Sequence, residues 1–347
     1  MKYTIFGESH GPAIGAVLEG VPAGLALDMA AMQRELARRA PGRDNLSTAR
    51  QEADQVEILS GLFEGKTTGT PLTLMIRNGD QHSGDYDALR YTPRPSHGDY
   101  AGFVASQGSL DHRGGGHFSG RLTAPLVAVG AVAKQVLARQ NIWVGSHISA
   151  IYGILDRPFE NPEELRSLGD KPFPVLDEGK GEEMRQAILE AKKDGDSVGG
   201  SIECAVVGLP VGRGAPDFGR NVEGIFSQYL FAVPAVKAVA FGAGTAFAYM
   251  RGTEGNDPFV MRDGKVVTKT NHAGGVNGGI TNGMPVVFEV TLRPTPSIAL
   301  PQESVDLRTG EEVEIEIRGR HDPCVVHRAV PVIEAAAALA ACEVLGI

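Results

Sequence analysis

Residues 122–139 read LTAPLVAVGAVAKQVLAR. Small apolar residues occupy nearly every side of the helix this stretch would form, and a helix without a polar face must be covered all round. The pattern predicts a buried core helix, so the elements around it must supply the cover. Downstream, 142–154 reads as a strand, 181–194 as an amphipathic surface helix, and 201–208 and 285–292 as alternating strands. Residues 312–317, EVEIEI, alternate strictly and predict a half-exposed strand, and 329–345 reads as a second, alanine-rich apolar helix. Upstream, 2–6, 13–19, 56–59 and 72–76 read as strands. Asp28 is placed to cap a helix over Met29–Arg39 with Met29, Met32, Leu36 and Ala40 on one face, and Arg38-Arg39 followed by Pro41-Gly42 is its stop. Helices and strands mix without a βαβ rhythm, which favours an α+β fold over a doubly wound sheet. No linker divides the chain, so 1–347 is read as a single domain.

The 347 residues, 42% hydrophobic, suffice for a sizeable core. A formal net charge of −9 argues against nucleic acid as a partner. No apolar run is long enough to span a bilayer, and the N-terminus lacks a basic segment followed by an apolar one, so a cytoplasmic protein is the expectation. Cys204, Cys324 and Cys342 are widely spaced, which suits a reducing compartment and gives no metal-ligand spacing. Glycine is the outlier: 45 residues, where average usage gives roughly 24. The excess gathers around 114–120, 195–200, 208–224 and 274–283, as tight turns or as places where backbone approaches a ligand.

Nucleotide signatures are missing. GLFEGKT (Gly61–Thr67) is one residue short of a P-loop and reads as a hairpin-like turn, and no G-x-G-x-x-G follows a strand. FGESHG (Phe6–Gly11) sets three polar residues between glycines after an apolar run, which is either a polar turn or a ligand contact. RPSHGDY (Arg94–Tyr100) places His97 beside a cation and an anion, as a proton donor or an exposed loop histidine. DHRGGGHFSGR (Asp111–Arg121) leads straight into the apolar helix, and free amides with nearby arginines there suit a phosphate. TNHAGGVNGGITNG (Thr270–Gly283) and LRPTPS (Leu292–Ser297) read as rigid platforms. In GRHDPC (Gly319–Cys324) the proline keeps Asp322 out of a helix. The same ingredients recur: Arg for anions, His and Asp for protons, Gly for close approach. Together they predict one basic, glycine-walled pocket in an acidic protein, suited to a polyanionic small molecule.

FGESHG, RPSHGDY, RGGG, TNHAGGVNGGI, RPTPS and GRHDPCVVHRAVPV stand here in the order and at the distances they have in the chorismate synthase family, which the chain resembles from about residue 3 to residue 345. The resemblance implies a β-α-β sandwich, with antiparallel sheets and helices packed around them, assembled as a homotetramer. It implies an anti-1,4-elimination of phosphate from 5-enolpyruvylshikimate 3-phosphate to give chorismate, for aromatic amino acid synthesis. Reduced FMN is required without net redox change. No NAD(P)H-binding fold is evident, so an external flavin reductant is expected.

By that resemblance His10 is the proton donor beside the flavin, His97 assists departure of the phosphate, and Asp322 helps flavin N5 act as base. Ser9, Arg39, Arg43, Arg50 and Arg121 are implied on the substrate. His117, Phe118, Ser119, Pro234, Ala235, Gly278, Arg293, Pro294, Thr295, Pro296, Ser297 and Arg320 are implied on the flavin. No metal is implied. The chain departs from the family pattern in three places. His117-Phe118 stand where many members have Arg-Ser, Asn45 stands at a usual arginine position with Arg43 and Arg50 on either side, and Pro234-Ala235 replace an Asn-Ala pair.

Overall fold

Four strands, Lys2–Gly7 (β1), Ala13–Glu19 (β2), Val56–Ser60 (β3) and Leu72–Arg77 (β4), form an antiparallel sheet in the order β1-β2-β4-β3. Trp143–Ile151 (β5), Ile154–Leu155 (β6), Gly200–Val207 (β7), Val236–Phe241 (β8) and Val286–Leu292 (β9) form a second, in the order β8-β9-β7-β5-β6. The larger helices are Met29–Arg39 (α1), Asp99–Ala105 (α2), Thr123–Ala138 (α3), Glu178–Lys193 (α4), Val222–Phe231 (α5) and Val326–Leu345 (α6). This computed structural model describes residues 1–42, 44–47, 54–79, 89–215, 217–317 and 321–347. Arg43, Arg50 and Arg320 lie outside the described residues.

Period-two alternation builds both sheets. Ile14, Ala16 and Leu18 of β2 and Leu72, Leu74 and Ile76 of β4 are buried on one face, and Val286, Phe288, Val290 and Leu292 do the same for β9. Those faces need cover, and the apolar helices provide it. α3 packs on β2 and β4 and against α6, while α6 packs on β5 and β7. The fold is a β-α-β sandwich of the α+β class. α3 and α6 approach closely because both are rich in small residues. A Cβ on Gly130 would lie 2.5 Å from the Cα of Ala335, so the crossing admits only glycine there.

α1 forms where its cap and stop place it: Asp28 Oδ1 accepts from Ala31 N at 2.8 Å, and Met32 and Leu36 are fully buried. One expectation is corrected. Gly120–Ala138 is long and apolar enough, with a mean hydropathy of 1.3, to meet the criteria for a membrane span. It is 83% buried between the sheets, which is why a core helix passes the same test. GLFEGKT is a hairpin, Leu62–Phe63 pairing with Lys66–Thr67. α2, α5 and β8 did not stand out in the sequence.

Candidate active site

α1 and α3 both end or begin at one edge of the helical layer, and the start of α6 and the end of β9 meet them there. A cavity of about 280 Å³ opens between these ends. Among the described residues five arginines line it, Arg39, Arg94, Arg121, Arg293 and Arg328, against one acid, Asp322. A protein of net charge −9 thus encloses a strongly cationic cavity. Leu292, Val233, Val325 and Val332 supply an apolar wall.

Two of the arginines share one buried carboxylate. Arg39 Nη1 donates to Asp54 Oδ2 at 2.7 Å, and Arg121 Nη1 donates to Asp54 Oδ1. Arg39 Nε donates to Thr123 Oγ1 at 3.0 Å, and Arg121 Nε to Asn78 Oδ1 at 3.1 Å. These bonds hold each guanidinium at two points. A fixed planar fork suits carboxylate and phosphate oxygens.

His97 sits at the N-terminus of α2. Its Nδ1 is 2.6 Å from Asp99 Oδ1, and Asp99 also accepts from Arg94 Nε at 2.7 Å and Arg94 Nη2 at 2.8 Å. Burial alone would raise the Asp99 carboxyl, but the bonds from Arg94 and His97 outweigh it and hold the group well below the usual carboxylate range. An ionised Asp99 only accepts, so His97 donates through Nδ1, and Nε2 is left for proton transfer. Arg94 also reaches Ser297 Oγ at 3.3 Å and so brackets the His97 loop to the 293–297 platform. His10 is buried, with Nδ1 3.1 Å from Ser9 Oγ. That hydroxyl donates to Arg113 O at 3.2 Å. Its single proton being used, it accepts from His10 Nδ1.

Asp322 pairs with Arg328 Nη1, and Arg328 Nε donates to Arg39 O at 3.0 Å. Next to it, His321 is kept neutral. Burial lowers its pKa and Arg94 lowers it further, against a smaller opposing effect of Asp322. His321 Nε2, Arg293 Nε and Thr295 Oγ1 are buried polar atoms with no hydrogen-bond partner among the described residues. All three residues line the cavity. Buried donors without partners are costly, and a phosphate-bearing ligand would satisfy such a set, so the residues present fit a flavin mononucleotide.

The cavity brings together His10, His97, Asp322, Arg39, Arg121, Phe118, Ser119, Pro234, Ala235, Arg293, Thr295, Pro296 and Ser297 of the residues named from sequence. Ser9 stands behind His10 and is fully buried. His117 turns away, with Nδ1 3.1 Å from Gly7 O, and is exposed. Pro294 packs against Gly199. Gly278 is in the two-residue turn of the ribbon Val276–Asn277 with Ile280–Thr281, outside the cavity lining. Asp54, Asn78, Thr123 and Arg328 were not anticipated. Arg113, read as a phosphate contact, is tied to Asp111 at 2.9 and 2.7 Å.

Comparison with known proteins identifies the family. The chorismate synthase family model matches residues 1–345. The chain belongs to the chorismate synthase family. Chorismate synthase of Thermococcus gammatolerans is 48% identical over 335 residues, covering 96% of this chain and 93% of that protein. The Aeropyrum pernix enzyme is 46% identical, covering 99% and 90%. A crystal structure of a chorismate synthase superposes with a TM-score of 0.77 at 30% identity, covering 99% of this chain and 91% of that one. The family is one of lyases that act on small molecules, and its sandwich is the architecture found here.

Proposed function

We propose that the protein catalyses the anti-1,4-elimination of phosphate from 5-enolpyruvylshikimate 3-phosphate to give chorismate, with reduced FMN and no net redox change. The observation that supports this most is the pairing of two differently held histidines with an arginine-lined cavity in a member of this family. Arg39 and Arg121 bind substrate oxyanions as forks. His97 delivers a proton from Nε2 to the departing phosphate, which leaves with the C–O electron pair. The C6 hydrogen is lost as a proton, and the new double bonds take up its electron pair. Bound reduced FMN supplies a transient electron. His10 holds a proton at Nε2 for the flavin edge, and Asp322 holds the carboxylate that serves proton removal. Arg293, Thr295, Pro296, Ser297, Pro234, Ala235, Phe118 and Ser119 are the residues for the flavin, with Arg320, Pro294, His117 and Gly278 assigned from the family pattern. Ser9, Arg43 and Arg50 are assigned to the substrate side in the same way. The apolar wall of Val233 and Val332 excludes water from the reacting atoms.

The single domain is proposed to act as a cytoplasmic homotetramer with an external flavin reductant. Exposed Tyr249, Phe259 and Met261, at 91%, 69% and 67%, offer apolar area that a second copy would cover. The test is single-turnover phosphate release with flavin saturating. His10→Ala and His97→Ala should each slow release by about 10²–10⁴-fold. Near wild-type rates in both variants would refute the proton-donor roles.

A further inference from the structure

Gly114, Gly115 and Gly116 have φ of 59°, 84° and 52°, in the left-handed region that strains any residue with a side chain. Backbone strain explains why glycine stands there, and the space over each Cα adds a second reason. A Cβ on Gly114 would overlap the His10 ring at Cε1 and Nδ1 and lie 2.8 Å from Ser9 Oγ. A Cβ on Gly115 would lie 2.9 Å from His97 Cε1, 3.2 Å from His97 Nε2 and 3.4 Å from Arg94 Nη2. Consecutive residues thus support two histidines delivered by separate loops. Each ring is gripped from another side too, His10 by Ser9 and His97 by Asp99. The His10 loop is bolted to the glycine run through Ser9 N, which donates to Gly116 O at 3.2 Å.

We infer that Gly114 and Gly115 form a positioning track: Gly114 seats His10, Gly115 seats His97, and the rigid step between them sets the spacing of the two proton-transfer groups. The consequence for rate rests on the function proposed above; the packing claim does not.

Double-mutant cycles read the packing claim in the flavin-free protein. Gly114→Ala is made in wild type, in His10→Ala and in His97→Ala, and Gly115→Ala in the same three backgrounds. The left-handed strain is common to all and cancels. Removing the His10 ring should return about 2–4 °C or more of the Tm lost to Gly114→Ala, while removing the His97 ring returns none. Gly115→Ala should show the reverse pairing, with a smaller effect. Should Gly114→Ala not fold alone but fold in the His10→Ala background, the track is supported. Equal loss in every background, or failure to fold in every background, overturns it. In single turnover, Gly114→Ala should slow phosphate release by about 10–10²-fold, as misplacement of a reacting group does, and add nothing to His10→Ala. A wild type that releases no phosphate would sink the proposed function and leave the stability cycles readable.

Discussion

Arg38 and Arg39 stand side by side at the end of α1, and their side chains enter two different buried ion clusters. Arg38 donates to Glu334 at 2.6 and 2.9 Å and to Glu35 at 2.8 Å. Lys134 joins the same pair of carboxylates at 2.6 and 2.9 Å, and Ser146 Oγ of β5 donates to Glu334 at 2.7 Å. Two cations face two anions, and α1, α3, α6 and the second sheet are locked together. Burial would raise the Glu334 carboxyl, but Arg38 and Lys134 outweigh it and hold it far below its usual range. Arg39 lies elsewhere. It and Arg121 pair with Asp54 where they line the arginine-rich cavity. One buried ion cluster in this protein serves the fold, and the other faces a cavity suited to an anionic ligand.

Breaking the balanced cluster should give the largest effect. Glu334→Ala leaves Arg38 and Lys134 buried with only Glu35, and loss of one partner from such a cluster costs about 3–5 kcal/mol. Denaturant titration checks this, and the folded fraction should keep its substrate KM. Arg39→Ala should do the converse. Asp54 stays paired with Arg121, so stability should change little, while substrate binding weakens by about 2–5 kcal/mol, as for a truncated buried charge pair. The expected signature is a large rise in KM with a smaller fall in kcat. Equal losses of stability in the two variants would remove the distinction between the clusters.

A third cluster sharpens the comparison with a smaller effect. His147 Nδ1 is 2.8 Å from Asp156 and Nε2 2.8 Å from Glu203, on the face of β5 away from Ser146. Burial lowers its pKa, but the two carboxylates outweigh burial and raise it above the ordinary value. Its stabilisation is therefore complete below the unfolded pKa of about 6.5 and is lost as pH rises through the folded value. The stability gap between wild type and Asp156→Asn should narrow from pH 6 to pH 9 as imidazolium is lost. A gap independent of pH over that range would show that the cluster acts through neutral hydrogen bonds.

What the sequence disclosed depended on whether a signal was local. α1 was legible to its cap because Asp28, the apolar spacing and the Arg-Arg-Pro-Gly stop lie within one short segment. α3 was legible because small apolar residues fill nearly all of its sides. His10, His97 and Asp322 stood out because each is set among glycines or prolines that make no sense in a core. Asp54 did not, because an acid just before β3 carries no pattern, and its two arginines come from α1 and the entry to α3. Arg328 was hidden on α6, where only the fold returns its guanidinium to Asp322. Phe118 and His117 adjoin in sequence but part at the kink after the glycine run. Phe118 covers Gly98 and Gly102 beside the cavity, and His117 faces the Gly7 carbonyl. α5 and β8 lie in a stretch where apolar residues fall on both sides, so neither helical nor strand period prevailed.

The central claim is that the arginine-lined cavity turns over a phosphorylated enolpyruvyl substrate on a reduced flavin. Anaerobic phosphate release from 5-enolpyruvylshikimate 3-phosphate, measured with dithionite-reduced FMN and with oxidised FMN, tests it directly. The account predicts phosphate and chorismate in equal amounts with reduced FMN, no stoichiometric oxidation of the flavin, and no turnover with oxidised FMN. Turnover at full rate with oxidised FMN or without flavin, or no turnover with reduced FMN, would contradict it.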